Sequence, residues 1–452
     1  MDRNTIIGLV LISGIVLTWL LFFGGNDKPA NGSQTQQTTT TEVQATAGSD
    51  DQPAPAAAGL PMGMDSAAFH ALSDSAKAAA IAADRTREHG LFSALYQGED
   101  RVIHVQTGKY KVALHTKGGR IGSFLLNDFQ TADSMPLPIQ TDKEINTLSV
   151  YFMQNANVKY PNVSSSDLYF EPSATSTVTV TGDSAAVVSM KAGIDSSRYL
   201  EYIYTFHGNS YEYELEIRQA DLDGLASKKQ MSVNWQAEIP KTERTMALMR
   251  EKTSLYYRES GSVDHIGPTT TPEDFITPEN NVDWVAFHSQ FFTHTLLTDK
   301  DGGTLENIKV FHADPIGPDP ADPNSGDVVK FMNAQFDIPI ATVSSGSIKL
   351  KFYAGPLDFD ILRRYGRDMT KQIGLGWGPL KYINSWLTIP IFNLLQRYIA
   401  NYGLIILLLG LIIKTLIYPL TYRTYLSTAK MRVVNNLPEV KELDAKLKDD
   451  PT

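Results

Sequence analysis

Two apolar runs near opposite ends of the chain predict two membrane-spanning helices. Residues 5–23 contain no charged side chain, and residues 402–420 contain one, Lys414. Each run has 19 residues. At 1.5 Å rise per residue such a helix is about 28 Å long, which matches a hydrocarbon core of roughly 30 Å. A cleaved signal peptide is the alternative for the first run, but its apolar part would be shorter and a small-residue cleavage site would follow it.

The charges after the second run predict the topology. Arg423, Lys430 and Arg432 come before any acidic residue, and the positive-inside rule places such an end in the cytoplasm. With two spans, the N-terminus then also lies in the cytoplasm. The roughly 380 residues between the spans lie on the far side, since long loops translocate largely regardless of charge.

Between residues 101 and 353 the hydrophobic pattern has a period of two and is interrupted by turn residues, which is typical of β-strands. The clearest hairpin spans residues 199–218: after the turn at 208–210, tyrosine and aliphatic positions alternate with charged ones. No helical segments are interleaved, so we expect a large antiparallel β-sandwich. Further strands are predicted at residues 110–116, 120–126, 177–180, 185–190, 284–287, 291–297, 331–338 and 347–353.

A polar linker precedes this domain, and an amphipathic segment follows it. Residues 24–61 are rich in Gly, Ser, Thr, Gln, Pro and Ala and predict a tether, with a semi-independent helix over 65–88 that ends at Gly90. Residues 380–401 carry apolar side chains at three- and four-residue spacing and predict a helix bent at Pro390. Its position beside a span favours the membrane interface over packing on the β domain.

These patterns predict a multidomain membrane protein in which two transmembrane helices flank a large extracytoplasmic β-sandwich. The predicted parts are an anchor at 1–24, the tether at 25–90, the β domain at 91–372, the amphipathic helix at 373–401, the second span at 402–420 and a cytoplasmic helical segment at 421–452.

The composition excludes several kinds of functional site. The 452 residues include no cysteine, which excludes disulfides, thiolate metal sites and thiol nucleophiles. The net charge of −10, without a basic stripe, argues against nucleic-acid binding. His288 and His294 are six residues apart, so they cannot share a helical face as a metal pair would, and we interpret them as surface or packed side chains.

Two loops also lack the features of a metal-binding or nucleotide-binding site. The acidic, proline-rich loop at 313–327 lacks the ligand spacing of a calcium loop, and the glycines at 374–378 indicate a flexible joint. No nucleophile, phosphate-loop or metalloprotease motif is present, and we expect no cofactor, no metal and no catalytic residue, although carboxylates distant in sequence could still converge.

Several motifs support a family resemblance. Residues 418–421 read Tyr-Pro-Leu-Thr and 429–432 read Ala-Lys-Met-Arg, after a segment with Gly-Trp-Gly at 376–378 and Pro390. Weaker matches are Thr-Lys-Gly-Gly-Arg-Ile at 116–121, Trp-Val-Ala at 284–286 and Gly-Pro at 355–356. With the order of parts given above, the chain resembles the YidC/Oxa/Alb family of membrane protein insertases.

The resemblance implies a β-supersandwich similar to sugar-mutarotase folds and a non-covalent mechanism. In this family a hydrophilic groove, open to the cytoplasm and the lipid, is expected to receive polar segments of nascent proteins. Lys414 stands where the family commonly has a groove arginine, and it keeps the charge but not the planar fork of that residue. The alternative for Lys414 is a lysine that snorkels to the interface.

The implied partners are nascent membrane proteins, the Sec translocon, the lipid bilayer and the ribosome, and the implied location is the bacterial inner membrane. The family continues with further spans that complete the groove, so we expect this stretch to contain one wall of it. Two other functions stay open. The first is a mutarotase-like domain that binds or modifies a glycan, which needs a cleft with convergent carboxylates, histidines and aromatics. The second is a scaffold for the secretion channel.

Overall fold

The computed structural model describes residues 70–154, 157–222, 230–268, 275–279, 281–298, 305–315, 326–339, 347–376, 378–438 and 440–441. The predicted first span and the tether at 24–61 lie outside the described residues, as do most of the acidic loop at 313–327 and most of the final predicted helix at 437–447.

The described part contains a β domain followed by helices. Its strands are β1 Val102–Gln106, β2 Tyr110–His115, β3 Ile121–Gln130, β4 Pro136–Gln140, β5 Thr147–Met153, β6 Asn162–Ser164, β7 Glu171–Pro172, β8 Val178–Thr179, β9 Ala185–Gly193, β10 Tyr199–His207, β11 Glu212–Ala220, β12 Gln230–Pro240, β13 Ser254–Glu259, β14 Ser262–Ile266, β15 Val282–His288, β16 Phe292–Thr298, β17 Glu306–Ala313, β18 Val328–Pro339 and β19 Ile348–Pro356. Every strand predicted from the period-two pattern is present within a few residues of its expected position.

The described helices are α1 Asp74–His89, α2 Met246–Lys252, α3 Phe359–Tyr365, α4 Pro379–Ile383, α5 Ile389–Gln396 and α6 Tyr402–Asn435. Short 3-10 turns occur at Gly90–Tyr96, Ser165–Asp167 and Met369–Gln372, and a π-helical turn occurs at Asn384–Thr388.

The strands form three sheets. A nine-stranded sheet has the order β14-β13-β15-β16-β19-β11-β10-β9-β7, and two five-stranded sheets have the orders β4-β3-β2-β1-β8 and β17-β18-β12-β5-β6. The expectation that no helix is interleaved with the strands is wrong, since α2 lies between β12 and β13. Neighbouring strands in the described residues run antiparallel as predicted, except that β1 and β8 pair in parallel at Val105 and Val178. Strand β8 has only two residues and joins the edge of its sheet, so a parallel pair costs little there.

Aromatic contacts show which face of the nine-stranded sheet carries the core. Phe124 of β3 lies against Tyr213 of β11 with ring centroids 5.8 Å apart, and Trp235 of β12 stacks on Phe287 of β15 at 3.8 Å. Both five-stranded sheets therefore pack on the large sheet through one hydrophobic cluster. Strand β11 faces this core with one side: Tyr213, Leu215 and Ile217 are buried, while the glutamates between them are partly exposed and Arg218 is exposed, as the alternation predicts.

Strands β15 and β16 are buried on both faces, because the segment that leaves the β domain covers their outer side. The indole of Trp284 donates to the carbonyl of Arg367 at 2.9 Å, and the hydroxyl of Thr293 donates to the Gln372 side chain at 2.8 Å. The chain therefore leaves the domain from a tightly held segment and reaches the glycine-rich joint only at residue 374.

Helix α1 confirms the helix that the sequence predicts before Gly90, although α1 is shorter than the predicted range 65–88 and begins at Asp74. Gly90 has φ +60°, a conformation that glycine adopts without a steric penalty. The helix buries none of its residues. Its last turn is nevertheless bound to the domain: the amide of Tyr160 donates to the Glu88 carbonyl at 2.9 Å, and Lys159 pairs with the Glu88 carboxylate at 2.7 Å.

The amphipathic segment contains α4, the π turn and α5, and Pro390 does not break it. Proline lacks an N–H, so the regular bond to the carbonyl four residues earlier cannot form. The backbone instead widens in the π turn directly before it, and the amide of Ile389 reaches back five residues to Asn384.

Helix α6 is longer than the second predicted span. It continues for 34 residues to Asn435 without a break where the apolar run ends at Leu420. At 1.5 Å per residue it is about 51 Å long, well beyond a hydrocarbon core of roughly 30 Å. The end of an apolar run indicates the edge of the hydrocarbon core, whereas the end of a helix depends on backbone hydrogen bonds and helix propensity. Residues 421–435 have few helix-breaking side chains, so the helix continues.

Candidate functional site

One face of α6 carries a stripe of polar side chains. Lys414, Tyr418, Thr421, Tyr425, Thr428 and Arg432 follow one another in steps of 4, 3, 4, 3 and 4 residues. The mean step is 3.6 residues, which equals one turn of an α-helix, so the six side chains lie in line. We call them the polar stripe. It begins in the predicted span and runs into the part of the helix that extends past it.

The threonines on α6 are compatible with an apolar environment because each hydroxyl has an internal acceptor. Thr421 donates to the Ile417 carbonyl at 3.1 Å, and Thr428 donates to the Thr424 carbonyl at 3.0 Å. A donated bond to the carbonyl one turn back lowers the cost of desolvating the hydroxyl, while its lone pairs stay free to accept a bond from another chain. The stripe can therefore offer acceptors as well as cations.

Pro419 lies inside the helix next to the stripe. Because Pro419 has no N–H, it cannot donate the regular helical bond to the Thr415 carbonyl one turn earlier. The hydroxyl of Thr415 donates elsewhere, to the Leu411 carbonyl at 2.8 Å. The carbonyl next to Lys414 in the chain therefore lacks its regular helical donor, which makes it a candidate polar acceptor beside the charge.

Helix α6 is the one described helix that is long and apolar enough to cross a membrane. Most of its residues are exposed, including Lys414, and large apolar side chains such as Leu407 and Leu416 are open to the surroundings. Exposed apolar side chains around a helix of this length are typical of a lipid-facing span.

Of the six members of the polar stripe, Lys414 alone is predicted from the sequence as a site residue. The apolar run ends at Leu420, so the polar positions beyond it, which continue the line of Lys414 and Tyr418, were assigned to a separate cytoplasmic segment. The missed signal is the 4-3-4-3-4 spacing of Lys, Tyr, Thr and Arg across that boundary, which is visible in the sequence alone.

His288 and His294 are packed side chains of the β domain. Burial lowers the pKa of His294 to about 3 and the pKa of His288 to about 4. The imidazole Nε2 of His294 hydrogen-bonds the Tyr213 hydroxyl at 2.9 Å, and Nε2 of His288 lies 3.1 Å from the Gln372 carbonyl. The described residues contain no group of three side chains placed to hold a metal ion.

A cleft of about 590 Å³ opens on the outer face of the nine-stranded sheet beside α3. It contains two of the three features expected of a glycan site, since its lining includes Glu212, Glu214 and three tyrosines. It includes no histidine, and the carboxylates are close to a cation: Lys351 Nζ lies 3.7 Å from Glu212 and 3.6 Å from Glu214. Burial and a hydrogen bond to Glu212 raise the pKa of Tyr365 far above its ordinary value, so that phenol stays protonated.

A large β domain joined by an amphipathic segment to an apolar helix with a charged stripe defines a membrane-integrated protein with a large domain outside the bilayer. The family profile described as "YidC periplasmic domain" matches residues 102–394, and the profile described as "60Kd inner membrane protein" matches residues 394–452. The chain belongs to the YidC family of membrane protein insertases.

Relatives agree with this assignment. The membrane protein insertase YidC of Porphyromonas gingivalis strain W83 is 31% identical over 459 aligned residues, which cover 99% of this chain and 67% of the relative. That of Parabacteroides distasonis is 26% identical, with the same coverage. The chain thus spans about two thirds of the length of these relatives. The crystal structure of YidC from Thermotoga maritima is 13% identical and aligns with 74% of this chain and 75% of that chain, at a TM-score of 0.31.

Proposed function

We propose that the chain acts as a membrane protein insertase, which helps nascent membrane proteins enter and fold in the inner membrane without covalent chemistry. The observation that carries the proposal is the polar stripe, on a lipid-exposed helix of a chain that belongs to the insertase family. A helix that only anchors a domain has no need for aligned Lys, Tyr and Thr side chains along one face.

Lys414 is the proposed centre of the binding surface. A charged side chain at the middle of a span costs about 2.5–3.5 kcal/mol on insertion scales. If α6 enters the hydrocarbon at Tyr402, Lys414 lies about 18 Å along the helix, which is deeper than one half of a roughly 30 Å core. A nascent segment with a carboxylate would be attracted there, and the hydroxyls toward Arg432 would provide hydrogen bonds along the way to the cytoplasm.

The rest of the predicted layout belongs to the same proposal. An N-terminal anchor at 5–23 would place the N-terminus in the cytoplasm and the β domain in the periplasm. The packing of two five-stranded sheets on one face of a nine-stranded sheet supports a supersandwich. The Sec translocon and the ribosome are proposed partners. The exposed aromatic residues of the amphipathic segment support its place in the membrane interface, just before α6.

Depletion and complementation test the proposed function. Cells depleted of their own insertase receive the complete protein with Lys414→Ala, Lys414→Arg or the control Lys430→Ala. Lys430 is 16 residues further along the same helix, about 160° around it from Lys414, so it lies away from the stripe. We expect growth with the arginine variant and the control, and poor growth with Lys414→Ala. Equal growth of the Lys414→Ala variant would remove Lys414 from the mechanism, and failure of the unmodified protein would contradict the function itself.

A further inference from the structure

A second polar site lies outside the stripe, in a cleft of about 640 Å³ between α3 and α5. Arg363 and Arg364 come from the last turn of α3, and Arg397 follows the last residue of α5. All three side chains line the cleft and are exposed. Three guanidinium groups from two separate helices thus face one space.

The cleft has an excess of positive charge. The described residues place no carboxylate within ion-pair distance of Arg363, Arg364 or Arg397. The one carboxylate in the lining, that of Asp360, accepts a hydrogen bond from the side-chain amide of Asn393 at 2.6 Å. Three positive groups and one negative group leave a net charge of about +2. Unpaired arginines that share a cleft are typical of a site for an anion.

Contacts place this cleft beside the start of the membrane-spanning helix. The Gln396 side chain donates to the Tyr402 hydroxyl at 3.0 Å, and the Phe392 ring stacks on the Tyr402 ring with centroids 6.3 Å apart. The end of α5 is therefore held against the first residue of α6. Trp386 and Tyr398, on either side along the chain, are each 82% exposed. Exposed Trp and Tyr next to a span are characteristic of the membrane–water interface.

We propose that the cleft binds the phosphate of an anionic phospholipid headgroup. The proposal rests on the interfacial placement of the amphipathic segment given above, but not on the role of Lys414. The planar guanidinium group of arginine can donate two hydrogen bonds to a pair of phosphate oxygens. Three such groups can therefore hold one phosphate by directed hydrogen bonds and not by diffuse charge attraction alone. Ile389 and Leu394 also line the cleft and offer apolar contact beyond the phosphate, which favours a lipid over a free anion.

Native mass spectrometry of the full chain in detergent tests the proposal with phosphatidylglycerol as the probe. The test variant carries Arg363→Gln, Arg364→Gln and Arg397→Gln. The control variant carries Lys111→Gln, Arg244→Gln and Lys309→Gln, which remove the same charge from exposed positions of the β domain. We expect the unmodified chain and the control to retain one more phosphatidylglycerol than the test variant, with an affinity at least about tenfold higher. Phosphatidylcholine should be retained equally by all three.

Three outcomes would overturn the proposal. Equal retention of phosphatidylglycerol by the test variant and the unmodified chain would show that the arginines do not bind it. Equal loss in the control variant would show that net charge alone is responsible. Displacement of the lipid by millimolar inorganic phosphate would identify a free anion as the ligand. Retention is measured without insertion activity, and a chain with Lys414→Ala should retain the lipid, so a failure here is distinguishable from a failure of the insertase function.

Discussion

The hydroxyl of Tyr213 and the imidazole Nε2 of His294 lie 2.9 Å apart at the centre of the β domain. The residues are 81 positions apart in the sequence and belong to β11 and β16 of the nine-stranded sheet. Phe124 from one five-stranded sheet and Trp235 from the other pack on the same imidazole, with ring centroids 6.2 and 5.0 Å away. All three sheets therefore meet at His294, and its protonation bears on the stability of the whole domain.

The first prediction concerns pH. Burial lowers the pKa of His294 to about 3, whereas the unfolded chain binds a proton near its ordinary value of 6.5. Between these values the unfolded state holds more protons, so the free energy of unfolding falls as the pH decreases from 6.5 toward 3. For one histidine the loss between pH 7.5 and pH 5 is about 2 kcal/mol. His288, whose pKa burial lowers to about 4, adds to the loss.

Urea unfolding of the full chain in detergent, followed by tryptophan fluorescence at pH 7.5 and pH 5, measures this effect. The variant His294→Gln should lose about 2 kcal/mol less over that interval than the unmodified chain, whatever its stability at pH 7.5. His104→Gln, at an exposed position, is the control and should behave like the unmodified chain. An unchanged pH dependence in His294→Gln would contradict the prediction.

The second prediction tests the polar stripe beyond Lys414. Thr421→Val keeps the side-chain shape but removes a hydroxyl from the stripe. Thr415→Val makes the same change about 100° around the helix from Lys414, and both hydroxyls donate to the carbonyl one turn back. Loss of one hydrogen bond to a client should lower the rate of insertion about two- to fivefold for Thr421→Val only. The measurement is insertion of a model client by the complete protein, and equal effects of the two variants would argue against the stripe.

The third prediction explains a glycine of the motif at 355–356. A Cβ atom on Gly355 would lie 2.8 Å from Cγ and 2.9 Å from Cβ of Tyr211, atoms too close to the backbone to move away cheaply. Gly355→Ala should therefore lower the free energy of unfolding by about 1–3 kcal/mol. Gly374→Ala, where no atom lies within 4 Å, is the matched control and should leave it nearly unchanged. Urea unfolding compares the two, and equal stabilities would refute the steric explanation.

The fourth prediction concerns the amphipathic segment. Trp386 is 82% exposed, whereas Trp235 is 2% exposed in the core. In vesicles whose acyl chains carry bromine, a quencher of tryptophan emission, the fluorescence from Trp386 should be quenched because the side chain lies at the membrane interface. Trp386→Phe should therefore reduce the quenched fraction of the total emission. Trp235→Phe should instead increase that fraction, since it removes an unquenched emitter. An increase of the quenched fraction in Trp386→Phe, as in Trp235→Phe, would contradict the interfacial placement.

Local patterning was enough to predict ten of the nineteen described strands, and the other nine were not identified from the sequence. In β11, tyrosine and aliphatic residues alternate with glutamates, and this order alone shows which face is buried. Sequence could not show that β11 lies beside β19, since a pairing between positions 130 or more apart depends on the energy of the whole assembly and leaves no local signal. The burial of the histidines could not be predicted for the same reason: no residue near His294 in the sequence indicates that three sheets cover it.

The sequence by itself determined the apolar span, the charge at Lys414 and the spacing of the polar stripe, because a helix places residues by a fixed rotation of about 100° per position. Tertiary structure alone decided that the carboxylates of the outer cleft lie beside a lysine, and that Arg363 and Arg364 share a cleft with Arg397 more than 30 positions later. The physical reason is the distance along the sequence over which each effect acts. Periodicity and propensity act over one or two turns, whereas the meeting of distant side chains is decided by packing, when burial of the hydrophobic core brings remote parts of the chain together.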